Sequence, residues 1–299
     1  MAKQEFHLDF CGRGITVETG EIAKQADGAV IIRYGDTVTL STACASNTAK
    51  EGIDFFPLTV SFEEKLYSVG KIPGGFLRRE GRPSEHATLT ARMIDRPIRP
   101  LFAEGFRNEV QVVNTVLSVD QDASAEMAAM LGASLALCIS DIPFDGPCAM
   151  TQVGMVDGEF VVNPSQAVWD NGDLQLTVAS TKQKVIMIEA GANIIPEAKM
   201  IEAIYMAHDI NQTIIEFIEK IVAEVGKEKH TYESCAIPEE LFAAIKEIVP
   251  PAEMEVAVFT DDKQTREANI KEITEKLEEA FADNEEWLAV LGEAIYQYQ

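Results

Sequence analysis

The sequence predicts an α+β fold, in which a β-rich first part precedes an acidic helical part. Three observations support this prediction. Short runs rich in Val, Ile and Thr recur up to about residue 190. After residue 195, apolar residues recur at the three- and four-residue spacing of amphipathic helices. A composition of 46% apolar and 25% charged residues is typical of a globular protein rather than a disordered chain.

The first strands are predicted from their β-branched residues and from the turns that separate them. Gly35-Asp36 lies between VIIRY and TVTLS, and a two-residue loop with Gly first is typical of a hairpin. The predicted strands of this part are Gly14–Thr19, Ala29–Tyr34, Thr37–Ala45, Leu58–Glu63 and Glu109–Val119.

The middle of the chain combines helices with two more predicted hairpins. Ser124 is placed to cap a helix that runs through Ile139, because a serine oxygen can accept a free amide of the first turn. Ile195-Pro196-Glu197 opens a long helix through about Val225. The predicted strand pairs are Met150–Val156 with Glu159–Val162, around Asp157-Gly158, and Leu174–Ser180 with Val185–Ala190.

A break near residues 228–231, followed by Pro238, predicts two domains, 1–230 and 231–299. The second is predicted to be all-helical, with strand-like alternation only around Val256. The C-terminal third of the chain is acidic, because residues 197–293 hold 24 acidic and nine basic side chains. The sequence stops at Gln299 inside a helical pattern without a stop signal, and we therefore expect a truncated protein.

The sequence also predicts the cellular compartment. The first residues, MAKQEFHLDF, lack the apolar run of a signal peptide. The most apolar segment, residues 128–139, is shorter than the roughly 20 residues of a membrane span. Five scattered cysteines without a Cys-x-x-Cys pair predict free thiols in a reducing compartment and argue against a structural zinc site. We expect a cytoplasmic protein.

Positive charge is concentrated in one window of an otherwise acidic chain. The formal net charge is -24, yet seven of the ten arginines lie between Arg78 and Arg107. Residues 65–107 contain nine Lys/Arg and four Asp/Glu, so this window carries +5 and the rest of the chain -29. A negative surface repels nucleic acid, and any phosphate or RNA should therefore bind through the window.

The window has the residue types of a single-strand binding site. Gly74-Gly75 precedes Phe76-Leu77-Arg78-Arg79, and Arg82 follows. Guanidinium groups bind phosphate oxygens in bidentate fashion, and an aromatic ring on a flexible loop can stack on an unpaired base. The alternative is that these arginines form ion pairs with carboxylates elsewhere in the chain.

A helix follows the glycine-rich stretch, with Ser84 as its cap and its end at about Asp95. Arg92 and Arg96 are four residues apart and share a face if both are helical. Pro97 argues against a helical Arg96, and Arg99 is expected in an irregular turn.

Other candidate sites have weaker patterns. Asp120-Gln121-Asp122 could bind a metal ion or cap the next helix. Among the four histidines only His86 lies within the window, where it could contact phosphate. Gly12-Arg13-Gly14 lacks the third glycine of a dinucleotide fingerprint. Glu63-Glu64 is interpreted as a pair of solvated charges.

At these residues the chain resembles the first core domain of bacterial polynucleotide phosphorylases. The resemblance is carried by KIPGGFLRREGRPSEHATLTARMIDRPIRPLFAEGF and extends to GRGITVETGEIAKQADGAVIIRYGDTVTLSTA, NEVQVVNTVLSVD and GASLALCISDIPFDGP. It implies an RNase PH-like core with mixed β-sheets packed by helices, followed by a small all-α domain. It also implies that the chain ends before a second core.

The resemblance implies a homotrimeric, phosphorolytic 3′-to-5′ exoribonuclease. In such an enzyme inorganic phosphate attacks the terminal phosphodiester of single-stranded RNA and releases a nucleoside diphosphate, assisted by Mg²⁺, and the reverse reaction polymerises diphosphates. The family's phosphate-binding serines and metal-binding aspartates belong to the second core. We therefore predict no catalytic or metal-binding residue in this chain. An endonuclease or a helicase is a candidate partner.

The resemblance also implies roles for the arginine window. The loop that constricts the RNA channel corresponds to Phe76, Leu77, Arg78, Arg79 and Arg82. Three further arginines are expected to face the cleft or phosphate, namely Arg92, Arg96 and Arg99. The family loop commonly has two phenylalanines, whereas Leu77 stands at the second position here.

Three functional hypotheses follow. The chain is the RNA-guiding and ring-assembly half of the nuclease, or in isolation a non-catalytic RNA-binding and assembly module. The third hypothesis is an unrelated small-anion-binding protein, which would bind mononucleotides as well as long strands.

Overall fold

The chain divides into two compact units. The computed structural model describes residues 3–50, 52–53 and 55–299. The first unit comprises the chain up to Ala103 together with Arg107–Tyr232, and the second comprises Glu104–Phe106 with Glu233–Gln299. The first unit is β-rich and the second is helical, and the α+β prediction is confirmed.

A six-stranded sheet forms one half of the first unit. Its strand order is β1-β2-β3-β4-β6-β5, antiparallel except for the parallel pair β5 and β6. The predicted Gly35-Asp36 hairpin joins β3 and β4 and pairs Tyr34 with Thr37. The strands are β1 (Gln4–Phe10), β2 (Arg13–Thr19), β3 (Gly28–Tyr34), β4 (Thr37–Ala45), β5 (Leu58–Glu64) and β6 (Val110–Ser118).

A four-stranded antiparallel sheet forms the other half, in the order β10-β9-β7-β8. The predicted Asp157-Gly158 turn joins β7 to β8, with both residues at positive φ as a tight primed turn requires. The predicted pairing of the last two strands is also confirmed. The strands are β7 (Ala149–Val156), β8 (Glu159–Val162), β9 (Leu174–Ser180) and β10 (Val185–Ala192).

Among its described residues the first unit also has four α-helices: α1 (Glu85–Ile98), α2 (Ala125–Ile139), α3 (Gln166–Asn171) and α4 (Glu197–Val225). Helix α2 contacts β3, β4 and β6 of the first sheet and β7 of the second. Helix α4 packs on β7 and β9, where the buried Asn211 amide donates to the Val178 carbonyl at 3.1 Å and to the Ser180 hydroxyl at 2.9 Å.

Helix α2 is the most deeply buried helix of the unit. Thirteen of its fifteen residues are buried, from Met127 to Ile139. Ser124 caps it as predicted, because its hydroxyl oxygen accepts from the Met127 amide at 3.1 Å. At the other end the Lys229 ammonium donates to the carbonyls of Leu137, Cys138 and Ser140 at 2.7–3.0 Å. Backbone groups at both ends of the helix therefore have hydrogen-bond partners inside the unit.

The close approach of α2 to the first sheet depends on Gly132. A Cβ at this position would lie 2.8 Å from the Ser41 Cβ and 3.2 Å from the Ile32 Cγ1, both on the strands below. Ser41 cannot swing away freely, because its hydroxyl donates to the buried Asn114 side chain at 2.6 Å. The helix would have to lift off the sheet to admit a methyl group.

The structure differs from the sequence prediction at the end of α1 and in two elements that were not predicted. Helix α1 runs to Ile98 rather than Asp95, so Arg96 is helical. Pro97 lies near the helix end and is buried with Ile98, and this burial offsets the lost amide hydrogen bond. Strand β1 was not predicted because it is a largely exposed edge strand without a strong apolar pattern. Helix α3 was also not predicted.

The second unit contains four helices: α5 (Glu239–Ile248), α6 (Pro251–Val258), α7 (Lys263–Ala280) and α8 (Glu285–Tyr298). Their apolar faces form one core around Leu241, Ile245, Leu277 and Ala294. The strand-like alternation around Val256 is helical, because Pro251 starts α6 and its buried residues follow helical spacing. Residues 104–106 join this unit through the Gly105 carbonyl, which accepts from the Cys235 amide at 2.9 Å.

The predicted domain boundary between residues 230 and 231 lies two residues before Glu233, where the second unit resumes. The assignment of the short segment Glu104–Phe106 to the helical unit was not anticipated from the sequence. No helix in the described residues is long and apolar enough to cross a membrane.

Replacing Gly132 by alanine should destabilise the first unit by about 1–3 kcal/mol, because the added methyl group overpacks the contact with Ser41. Gly191→Ala is the matched control, since an added Cβ there meets only the Gln175 side chain at 3.7 Å. Urea denaturation followed by Trp169 fluorescence, in a Trp287→Phe background, reports on this unit alone. Equal midpoints for the two alanine variants would contradict the close-approach argument.

Candidate nucleic-acid interface

The segment between β5 and α1, residues 65–84, carries three of the predicted site arginines and is called the arginine loop. It begins with a short 3-10 turn, Leu66–Val69, and continues without regular secondary structure to Ser84. Ser84 caps α1 as predicted, because its hydroxyl oxygen accepts from the Ala87 amide at 2.9 Å.

The tip of the arginine loop is a tight turn that displays two apolar side chains. The Arg78 amide donates to the Gly75 carbonyl at 3.0 Å, which places Phe76 and Leu77 at the two central positions. Their side chains are 102% and 74% exposed. Arg78 has a φ of +47°, a left-handed conformation that is unusual for a residue with a side chain. The turn thus presents a phenyl ring that none of the described residues of its unit covers.

Four guanidinium groups of the window have no hydrogen bond or ion pair within the described part of the chain. Three belong to the arginine loop, and all four are exposed. They are Arg78, Arg79, Arg82 and Arg92. The alternative that the window arginines all form internal ion pairs is therefore wrong for these residues. In a chain with 49 acidic and 25 basic residues, arginines without an internal partner can bind an external anion.

Arg96 and Arg99 differ from these four. Arg96 bridges from α1 to β10, where its Nη1 lies 3.0 Å from a carboxylate oxygen of Glu189. Its position on α1 four residues after Arg92 places both side chains on one helix face.

The Arg99 guanidinium forms its hydrogen bonds within the first unit. It contacts both oxygens of Asp95, at 2.7 and 2.9 Å, and donates to the carbonyls of Phe56 and Leu58 at 3.1 and 3.2 Å. It also lies over the Phe56 ring. These contacts join α1 to the segment that leads into β5, and they leave Arg99 little capacity for an external phosphate.

His86 lies between two carboxylates rather than facing phosphate. Its Nδ1 is 3.0 Å from Glu64 Oε1, and its Nε2 is 3.0 Å from Glu126 Oε1. Hydrogen bonding to Glu126 is the main cause that raises the pKa of His86 from its ordinary value to about 9. Burial alone would raise the pKa of Glu126, but hydrogen bonds from His86 and Ser124 outweigh it and lower that pKa.

The remaining acidic side chains of this region have structural partners. Glu64, interpreted from sequence as solvated, accepts from the Ser84 hydroxyl at 2.7 Å as well as binding His86. The Asp120 carboxylate accepts the amides of Asp122 at 2.9 Å and of Asp36 at 3.4 Å. Asp120 therefore stabilises a turn, and sequence reasoning missed the roles of Glu64 and Glu126 because their partners are distant in sequence.

No group of three or more His, Cys, Asp or Glu side chains in the described residues is arranged to hold a metal ion. The Mg²⁺ ion that the family resemblance implies thus has no matching ligand set among these residues. The five cysteines are free thiols. Burial raises the pKa of the Cys138 and Cys148 thiols, which makes both poor nucleophiles.

A cavity of about 610 Å³ lies beside the base of the arginine loop. Its polar lining includes His86, Ser124 and four carboxylates, those of Glu64, Asp120, Glu126 and Asp170. Lys65 also lines it. The excess of negative charge disfavours phosphate, so the exposed arginines are the better candidates for phosphate contact.

Arg99→Ala should lower the free energy of unfolding of the first unit by about 1–2 kcal/mol, because it leaves Asp95 and two carbonyls without their donor. Arg92→Ala should change stability by less than about 0.5 kcal/mol, since its side chain is exposed and unpaired. The same Trp169 fluorescence assay measures both. A larger cost for Arg92→Ala than for Arg99→Ala would reverse the assignment of these two side chains.

Comparison with known proteins places the chain in a family. Two domain models of the 3′ exoribonuclease family match it, domain 1 over residues 12–143 and domain 2 over residues 146–210. The crystal structure of rice (Oryza sativa) Rrp46 is similar, with a TM-score of 0.56 and 13% identity over 74% of this chain and 94% of that one. This structural likeness supports an RNase PH-like fold for the first unit.

The chain is also similar in sequence to curated bacterial proteins. It is 61% identical to the polyribonucleotide nucleotidyltransferase of Lachnoclostridium phytofermentans over 99% of this chain, and 54% identical to that of Bacillus cytotoxicus over 97%. The chain covers 43% and 41% of the length of these two relatives. Because both family domains match and together span more than half of the sequence, the chain belongs to the 3′ exoribonuclease family.

Proposed function

We propose that this chain is the RNA-guiding and ring-assembly part of a polyribonucleotide nucleotidyltransferase. The whole enzyme degrades single-stranded RNA from its 3′ end, in the direction 3′ to 5′. A phosphate oxygen bonds to the phosphorus of the terminal phosphodiester, the bond to the preceding nucleotide's 3′ oxygen breaks, and a nucleoside diphosphate leaves. The names of the relatives support this activity, and their greater length supports placing the chemistry beyond this chain.

The observation that carries the proposal is the set of unpaired guanidinium groups on and beside the arginine loop. Arg78, Arg79, Arg82 and Arg92 bind backbone phosphates, and the exposed Phe76 stacks on a base. Stacking of one base contributes about 1–3 kcal/mol to single-strand binding. Leu77 adds apolar contact but no second ring. The negative charge of the remaining surface directs RNA to this one place.

The other arginines of the window have supporting roles in this proposal. Arg96 faces the cleft from α1 and exchanges part of its contact with Glu189 for phosphate. Arg99 positions α1 against β5 through its contacts with Asp95. In the assembled enzyme three copies form a ring in which the arginine loops surround the RNA path. Mg²⁺ and inorganic phosphate act at residues outside this chain.

By itself, the chain binds RNA without degrading it. Its sequence contains no serine-rich loop or aspartate pair that resembles the phosphate and metal sites of the family's second core. The test is incubation of the isolated chain with labelled poly(A), Mg²⁺ and phosphate. We expect RNA retention on a filter and no phosphate-dependent release of ADP. Release of ADP would place a complete phosphorolytic site in this chain.

The double substitution Arg78→Glu/Arg79→Glu should weaken binding of a short oligoadenylate more than about tenfold at 0.1 M salt, because two attractive phosphate interactions become repulsive. In neutral variants at these positions, the slope of log affinity against log salt should fall by about 0.7 for each phosphate that is no longer neutralised. Fluorescence anisotropy over a salt series measures both quantities.

Lys24→Glu/Arg33→Glu is the matched control, because it makes the same change of net charge at two exposed residues outside the window. It should retain affinity within about twofold, because neither residue belongs to the proposed site and salt screens exposed charges. Equal loss in the two double variants would show that net charge alone governs binding. Competition by mononucleotides as strong as by oligoadenylate would favour the small-anion hypothesis.

A further inference from the structure

The two ends of the arginine loop are held together by contacts at its base. Glu64, the last residue of β5, accepts from the Ser84 hydroxyl at 2.7 Å across the whole length of the loop. Inside the loop, the Leu66 amide donates to a carboxylate oxygen of Glu80 at 3.0 Å. An 18-residue connection, Leu66–Pro83, is thus closed by side chains at its base, while Phe76 and Leu77 at its tip are exposed.

His86 joins this base to the buried core of the unit. It lies in the first turn of α1, and its two ring nitrogens contact Glu64 on β5 and Glu126 on α2. The second oxygen of Glu126 accepts from the Ser124 hydroxyl at 2.5 Å. Ser84 and Ser124 cap α1 and α2. One imidazole therefore connects both helix starts with the end of the strand that leads into the loop.

The arrangement needs a positively charged imidazole. Two carboxylates can each accept a ring N–H only when both nitrogens carry a proton. The other charged groups that line the cavities around His86 are Lys65, Asp120, Asp170 of α3 and Glu189 of β10. The excess of carboxylates favours the protonated ring.

We propose that His86 is a positioning residue that pins the base of the arginine loop, so that the loop arginines are presented in an ordered conformation. The functional consequence rests on the RNA-binding role proposed above. A loop that is ordered before RNA arrives loses less conformational entropy on binding, which raises affinity. We call this carboxylate–imidazole–carboxylate contact the His86 clamp.

The His86 clamp predicts a particular pH dependence. The pKa of His86 is raised to about 9, so its stabilising effect is complete below its ordinary value and disappears as the pH rises through about 9. The pKa of Glu126 is lowered, so its contribution is present above its ordinary value and disappears at more acidic pH. Alkaline pH should therefore loosen the arginine loop while the neighbouring carboxylates keep their charge.

Limited trypsin digestion measures loop order without RNA. Trypsin can cut the loop after Lys71, Arg78 and Arg79, and cleavage of a closed segment follows the population of its open form. The rate is divided by that of a free peptide with the sequence of residues 71–83, which removes the enzyme's own pH dependence. For the wild type we expect a rise of about fivefold between pH 7.5 and pH 10, as the two ion pairs of the clamp break.

Three variants make the test specific. His86→Gln should be cut at pH 7.5 as fast as the wild type at pH 10. His86→Arg keeps the charge at both pH values and should be cut slowly at both. His7→Gln, the matched control on β1, removes a histidine that also contacts a carboxylate, Glu5 at 3.3 Å, and should match the wild type. A wild-type cleavage rate for His86→Gln at pH 7.5 would overturn the clamp.

RNA affinity then tests the functional link. In the anisotropy assay, His86→Gln should weaken oligoadenylate binding about threefold to fivefold at pH 7.5, and His86→Arg should restore it, as expected when loop ordering is removed and regained. Faster cleavage with unchanged affinity would overturn the positioning role. Unchanged affinity in Arg78→Glu/Arg79→Glu would instead overturn the RNA role of the loop, and the digestion result would decide the clamp alone.

Discussion

The burial of α2 between the two sheets is the constraint on which the first unit depends. The helix contacts three strands of one sheet and one strand of the other. It approaches the first sheet so closely that position 132 has room only for a glycine. Its ends are fixed by Ser124 and Lys229. Because Glu126 lies in its first turn, the same burial fixes the carboxylate that contacts His86. A buried core helix thus positions the carboxylate that contacts His86 at the base of the arginine loop.

The distribution of charge on this scaffold is the basis of the proposed function. An acidic chain could neutralise its arginines internally, and Arg99 is neutralised in this way by Asp95. Arg78, Arg79, Arg82 and Arg92 are left exposed instead, and none of the described residues covers the Phe76 ring of the same loop as the first three. Exposed unpaired arginines and an uncovered ring contribute little to the stability of the unit, and this supports the proposal that they bind a ligand with phosphates and bases.

Local signals in the sequence predicted most elements of the fold. The Gly35-Asp36 and Asp157-Gly158 turns and the Ser84 and Ser124 caps act within four residues, and each has the predicted role. The end of α1 could not be predicted in this way, because it depends on the burial of Pro97. The His86 clamp could not be predicted from the sequence either. His86 is 22 residues from Glu64 and 40 from Glu126, and short-range sequence patterns do not indicate pairs so far apart. The arginine loop was recognisable from composition, but which arginines are unpaired required the structure.

The most direct test of the account is to map where RNA touches the chain. Single-stranded RNA containing 4-thiouridine is bound, irradiated with ultraviolet light and digested, and the crosslinked peptides are identified by mass spectrometry. We predict that crosslinks fall between residues 72 and 92, with Phe76 among the modified residues, and that they disappear at high salt. Crosslinks confined to other parts of the chain, with none in the arginine loop, would contradict the claim that the unpaired arginines guide RNA.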